Sequence, residues 1–358
     1  MNGNKPNSSN LKRNLLIIFG TLLGMVFLYI AFKDISLKDL LEGISQVKLI
    51  YLLPCIVLIL LIQFVRAIRF GLILSPFCRL SVKDLWDILN LWAGASMIMP
   101  ARLGELVRPY LVRQSGGSFS SALGGVIVER FFDLSSLLLL LAIILWTTPQ
   151  VPSTYTYIGK ALLVVLAIGY AMVLLVLARR EKVEAAVTFL LSWLPPKAAS
   201  FLGTIFRRLV DGFGIMASFK QALIIFSYSL TIWILFSTMT YLFLQAFSIN
   251  SPFLVAVTIQ VFICFGVALP SAPGFIGTFH AAGRYALTLF GIQAISAVAF
   301  ATVYHLFSLV MCLLLGLISY WTSHFRFDSA AFSGSAGEDT SSETQAELVG
   351  PESCGLDR

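Results

Sequence analysis

The sequence predicts an all-α, polytopic membrane protein, and three observations carry that prediction. Of its 358 residues 58% are hydrophobic and only 12% charged, with a mean hydropathy of +0.88, against about 25% charged in a soluble domain. Six apolar runs, 15–32, 49–64, 122–146, 157–178, 222–247 and 293–320, approach or exceed the roughly 20 residues that cross a bilayer core. None of them shows the residue-by-residue alternation of a barrel strand, so the backbone must satisfy its hydrogen bonds within helices.

The first run follows Lys12 and Arg13 and precedes no small-residue cleavage site, so it reads as a retained span. Residues 33–48 balance three Lys against Asp34, Asp39 and Glu42 and read as an outside loop. After the second run come Arg66, Arg69, Arg79, Lys83, Arg102, Arg108 and Arg113, which the positive-inside rule assigns to the cytoplasm. The uncharged turn 147–156 is expected outside. Residues 179–220 carry seven basic and three acidic side chains, and Val183, Val187, Leu190, Leu191 and Leu194 fall at helical spacing. That pattern suits a cytoplasmic amphipathic helix; after Pro195 and Pro196 either a second short helix or a solvated loop follows. Both termini are expected in the cytoplasm.

Two further apolar segments are interrupted by Pro, Gly and charge, and a proline inside a helix breaks it. One is 86–112, around Met99-Pro100-Ala101-Arg102-Leu103-Gly104-Glu105; the other is 252–290, around Leu269-Pro270-Ser271-Ala272-Pro273-Gly274-Phe275-Ile276-Gly277. The expected architecture is about six full spans plus two broken re-entrant segments. Two full spans in place of either hairpin would preserve the same parity, and the alternative reading, in which Pro and Gly merely kink two ordinary spans, gives up to eight. With hairpins, each half (11–150 and 151–324) holds three spans and a broken segment before its last span. The halves then have inverted topology, as in transporters whose sites lie between the repeats. Residues 1–324 form one transmembrane domain, and the Ser-, Gly- and Glu-rich 325–358, with seven acids and two Arg, read as a disordered acidic tail.

Charges inside spans mark candidate function. Glu129, Arg130 and Asp133 lie within 122–146, the two acids on one face and Arg130 about a quarter-turn away. Arg102, Glu105 and Arg108 recur every three residues and are the expected ion-pair partners. With Arg66 and Arg69 they would gather several guanidinium groups in a cytoplasmic-side cavity, suited to paired hydrogen bonds with a phosphate. The alternative for Arg66 and Arg69 is snorkelling to the interface. In the second broken segment Pro270, Pro273, Gly274 and Gly277 free backbone groups and permit positive φ, and His280 and Arg284 follow on one helical face. A helix N-terminus there could face a phosphate. His305 reads as a hydrogen-bonded packing residue.

Five scattered cysteines show no metal spacing, and no nucleophile elbow, Walker loop or metal-ligand pattern is present. No enzymatic activity, cofactor or nucleic-acid partner is expected, and any transport would be gradient-driven or passive. Gly20 and Gly24 form a GxxxG, a faint hint of helix pairing.

Several blocks resemble the family of the lysylphosphatidylglycerol synthase transmembrane region, the flippase-like UPF0104 membrane proteins. They are Arg66-Ala67-Ile68-Arg69; Pro100 to Glu105 with Arg108; Gly124 with Val128-Glu129-Arg130 and Asp133; and Pro270 to Phe279. The resemblance implies a lipid flippase-like domain of the bacterial cytoplasmic membrane that moves an anionic phospholipid or a lipid-linked intermediate between leaflets. The alternative is a non-transporting partner that presents lipid to a glycosyltransferase or lipid synthase. His280 stands where synthase-like members often carry an acidic residue, so lysyl recognition is not carried over. Lysyl transfer is not expected either, since only the acidic tail follows the membrane part.

Overall fold

A computed structural model describes residues 21–33, 35–147, 153–214, 218–269 and 271–325. The tail beyond Phe325, Gly20 and the start of the first run, residues 148–152 of the turn 147–156, and Pro270 lie outside those residues, as do the side chains of 100–102. The described residues are helical, without strands.

The helices run α1 (Thr21–Phe32), α2 (Leu37–Ser45), α3 (Leu52–Leu74), α4 (Val82–Ile98), α5 (Val107–Gln114), α6 (Phe119–Thr147), α7 (Ser153–Ala178), α8 (Arg180–Leu191), α9 (Pro196–Phe213), α10 (Phe219–Ala246), α11 (Phe253–Ala268), α12 (Thr278–Thr288) and α13 (Ala294–Thr322). Four stretches, Leu49–Leu74, Gly159–Ala178, Phe219–Ala246 and Ala294–Thr322, are long and apolar enough to cross a membrane. The 29-residue α6 is long enough too, but it carries the three buried or half-buried charges of the third run.

Both interrupted segments fold as helix, 3-10 turn, helix. In the first, α4 ends at Met99 in extended backbone and a 3-10 turn, Pro100–Leu106, leads into α5. In the second, α11 ends at Leu269 in extended backbone and the turn Pro273–Phe275 leads to α12. Pro100 and Pro273 each sit where the missing N–H costs nothing, at the start of a new helical turn.

The chain doubles back at both breaks. Phe262 of α11 and Tyr285 of α12 meet as tilted rings with centroids 5.7 Å apart. At the open end of the first hairpin, a Cβ on Gly117 would lie 3.4 Å from Cys78 Sγ, so the segment leaves beside the point where it entered. Both segments are helical hairpins.

The halves repeat one order: an apolar helix (α1, α7), amphipathic helices (α2; α8 and α9), a long apolar helix (α3, α10), a hairpin, and a last long helix (α6, α13). The corresponding helices α3 and α10 oppose each other in direction. The N–H of Lys48, before α3, donates to Ala246 O at the end of α10 at 2.9 Å, while Arg69 late in α3 reaches Ser229 early in α10 at 2.6 Å. That antiparallel pairing is what inverted halves require.

The segment after Pro195 is a helix, α9, not a loop; it packs along α6, where Gly124 and Gly212 admit the close approach. Arg180 of α8 holds it through Asp211 at 2.6 Å and also pairs with Glu184 at 2.7 Å. Helix α2 replaces the loop expected at 33–48: Ser36 Oγ accepts from Asp39 N at 3.1 Å, an N-cap. Leu40 packs on Val298 and Ala299 of α13.

Candidate functional site

Four helices of the first half converge on one ion network. Arg69, late in α3, donates to Asp133 through both terminal nitrogens and to Ser229 Oγ at 2.6 Å, and lies 3.3 Å from Glu129 Oε1. Its side chain is 1% exposed. Arg108 of α5, fully buried, donates to Glu129 Oε1 and Glu105 Oε2, each at 2.8 Å. Since Glu129 and Asp133 share a face of α6, one helix supplies the counter-charges for arginines from two neighbours.

Arg130 points away from that face, as its quarter-turn offset dictates. It is 44% exposed and its contacts are long: 3.3 Å to Glu105, 3.7 Å to Glu129 and 3.5 Å to Asp133. Arg66 has no carboxylate among the described residues within ion-pair distance. It donates to Gln63 Oε1 at 3.2 Å, and Gln63 in turn donates to Asn90 Oδ1 at 2.9 Å. The charge of Arg66 faces rings instead, 5.0 Å from Phe236 of α10 and 5.6 Å from Trp92 of α4.

Trp92 is the hub: Arg108 lies 4.0 Å over its ring and Arg130 5.6 Å from its centroid. Cation–π attraction is strongest for tryptophan and rises when the pair is desolvated. The described side chains thus hold four arginines against three carboxylates, with Glu129 Oε2 and the Nε of Arg69 and Arg108 buried without a hydrogen-bond partner. The excess is positive, and the open members are Arg130, Arg66 and Glu105.

The second hairpin is held by backbone and rings. Gly274 and Gly277 have φ of +68° and +93°, conformations that favour glycine. His305 of α13 bonds Gly274 O at 2.6 Å, the hydrogen-bonded role expected for it. His280 is buried between Phe32 of α1, Phe279 and His305. Arg284 donates to the carbonyls of Ile30, Ala31 and Lys33 at 2.8–3.1 Å, closing the C-terminus of α1, a favourable place for a cation.

The structure therefore gathers Arg66, Arg69, Glu105, Arg108, Glu129, Arg130 and Asp133 into one cluster. The tips of the two hairpins touch, a Cβ on Gly274 lying 3.4 Å from Met97 O, so Pro273 and Gly274 adjoin the first hairpin. His280 and Arg284 instead face α1. The side chain of Arg102, and Pro270, lie outside the described residues. Sequence reasoning did not single out Trp92, Phe236, Gln63, Asn90 or Ser229. For Gln63 and Asn90 a signal existed, since polar side chains inside apolar helices need partners.

The family model for the lysylphosphatidylglycerol synthase TM region matches residues 17–316. A UPF0104 membrane protein of Methanothermobacter thermautotrophicus is 26% identical over 268 residues, covering 71% of this chain and 78% of that relative. No solved structure matches the chain.

Proposed function

The chain belongs to the family of the lysylphosphatidylglycerol synthase transmembrane region, and from that premise we propose that it is a lipid translocase of the bacterial cytoplasmic membrane. In this reading it carries no catalytic chemistry, both termini face the cytoplasm, and an anionic headgroup is its cargo. The observation that carries the reading is the unbalanced arginine cluster, with Arg66 unpaired by any described acid and Arg130 half-exposed beside two touching hairpin tips.

Four buried or half-buried arginines inside a membrane protein are expensive unless they serve a charge. Arg69 and Arg108 are already neutralised by Glu129 and Asp133 and act as the frame. Arg66 and Arg130 are left to bind phosphate, and inverted halves give the two leaflets equivalent routes to one site.

The test is a transbilayer assay in reconstituted vesicles, with fluorescent phosphatidylglycerol and phosphatidylcholine in the outer leaflet or loaded in both. Protein-dependent exchange of the anionic lipid, lost in an Arg66→Gln/Arg130→Gln variant that still folds, is the expected result. Tight lipid binding without exchange would instead make the chain a presenter of lipid to a glycosyltransferase or lipid synthase.

A further inference from the structure

Within the cluster, one acid differs from the other two. Glu129 and Asp133 stand on the α6 backbone and are closed in by Arg69 and Arg108, with side chains 3% and 11% exposed. Glu105 is 32% exposed and stands on the 3-10 turn of the first hairpin, a backbone with poorer hydrogen-bond geometry than an α-helix. It spans two helices, meeting Arg108 of α5 at 2.8 Å and Arg130 of α6 at 3.3 and 3.5 Å.

The two bonds are unequal. A charge-assisted N–H to carboxylate bond is strongest near 2.7–2.9 Å, so the Arg108 bond is close to optimal and the Arg130 bond is stretched. Arg108 also keeps Glu129 at 2.8 Å and the Trp92 face at 4.0 Å. Arg130 has only long contacts, the nearest of them Glu105.

We propose that Glu105 is an exchangeable internal carboxylate, displaced from Arg130 when the phosphodiester of an anionic lipid headgroup takes its place. The inference rests on the lipid-site reading above and gives that site its competitor. A phosphodiester offers two oxygens that Arg130 can grip with paired hydrogen bonds, while Arg66, on the same Trp92 ring, faces the same single negative charge. The displaced Glu105 stays with Arg108. Loading the site thereby removes a tie between the tip of the first hairpin and α6, and unloading restores it. Glu105 is a specificity and positioning residue: it fills the anion site when lipid is absent and excludes weak anions from it.

The experiment titrates the purified full-length protein in detergent with dihexanoyl phosphatidylglycerol, and separately with dihexanoyl phosphatidylcholine and inorganic phosphate. Glu105→Gln removes the competing charge and keeps the side-chain volume. Because the displaced contact is a long, partly exposed ion pair, phosphatidylglycerol should bind Glu105→Gln about two- to tenfold tighter than wild type. A residue with a merely structural role would leave affinity unchanged or weaken it, and either result in a variant with wild-type thermal stability would overturn the proposal. Should Glu105→Gln not fold, Glu105→Asp, too short to span both arginines, carries the same expectation and the same criterion. Inorganic phosphate binding as tightly as the lipid would assign the site to the free anion and overturn the lipid assignment. Wild-type protein that binds no anionic lipid would sink the site reading itself, a failure distinct from a site that binds lipid but ignores Glu105.

Discussion

The first hairpin presents charge at its tip, where Glu105 and Arg108 meet Arg130 around the Trp92 ring, whereas the second is held by Gly274, Gly277, a carbonyl bonded to His305 and the rings around His280. The same helix, 3-10 turn, helix plan is used for two purposes. One hairpin keeps an incomplete set of counter-charges, and the other is closed on α1 and α13. The difference teaches that a repeated architecture need not repeat its chemistry. The half that carries the proposed lipid site is the one whose arginines outnumber their carboxylates among the described side chains.

That contrast can be broken by substitution, and the largest effect is expected in the frame of the first hairpin. Glu129→Ala would leave Arg69 and Arg108 buried with part of their counter-charge gone, a loss of about 3–5 kcal/mol. Thermal unfolding in detergent measures it, and a variant as stable as wild type would show that the network does not hold α3, α5 and α6 together.

Next comes the backbone of the second hairpin. Gly277→Ala forces a side chain onto φ +93° and against the Gly24 carbonyl of α1. The strain alone costs about 1–3 kcal/mol. Since α1 is what the new methyl meets, protease accessibility around α1 should rise; unchanged accessibility and stability would contradict the packing described.

Smaller still is His305→Phe, which keeps a ring beside Phe279 but removes the bond to Gly274 O. The expected cost is about 1 kcal/mol, the net worth of one hydrogen bond, read in the same melting assay. The smallest effect on stability belongs to Arg130→Gln. Its half-exposed contacts of 3.3–3.7 Å support less than about 1 kcal/mol. Anionic lipid movement should nonetheless fall to background, the reverse of what His305→Phe does. If lipid movement follows melting temperature across all four variants, the division of labour between the hairpins is wrong.

Much of this plan was legible in the sequence. Five of the six apolar runs fall within single long helices, and Pro100 and Pro273 mark the breaks because proline cannot continue a helix. The spacing of Glu129, Arg130 and Asp133 correctly put two acids on one face and the arginine off it. What spacing within a helix cannot supply is which helices become neighbours. Trp92 was one aromatic in an apolar run until three arginines closed around it, and Ser229 lies 160 residues from the Arg69 it accepts from. Arg284 fell on one face with His280 as expected, but the arrival of α1 beside it, unreadable from that spacing, turned the arginine to the carbonyls of Ile30, Ala31 and Lys33.

The most direct test of the central claim is photo-crosslinking with an anionic phospholipid that carries its reactive group near the headgroup, in membranes holding the wild-type protein. The account predicts labelling of α4 and α6 peptides around Trp92 and Arg130, competed by unlabelled phosphatidylglycerol and lost in Arg66→Gln/Arg130→Gln. Labelling concentrated around His280 and Arg284, or spread over the outer helices and indifferent to those two arginines, would contradict it.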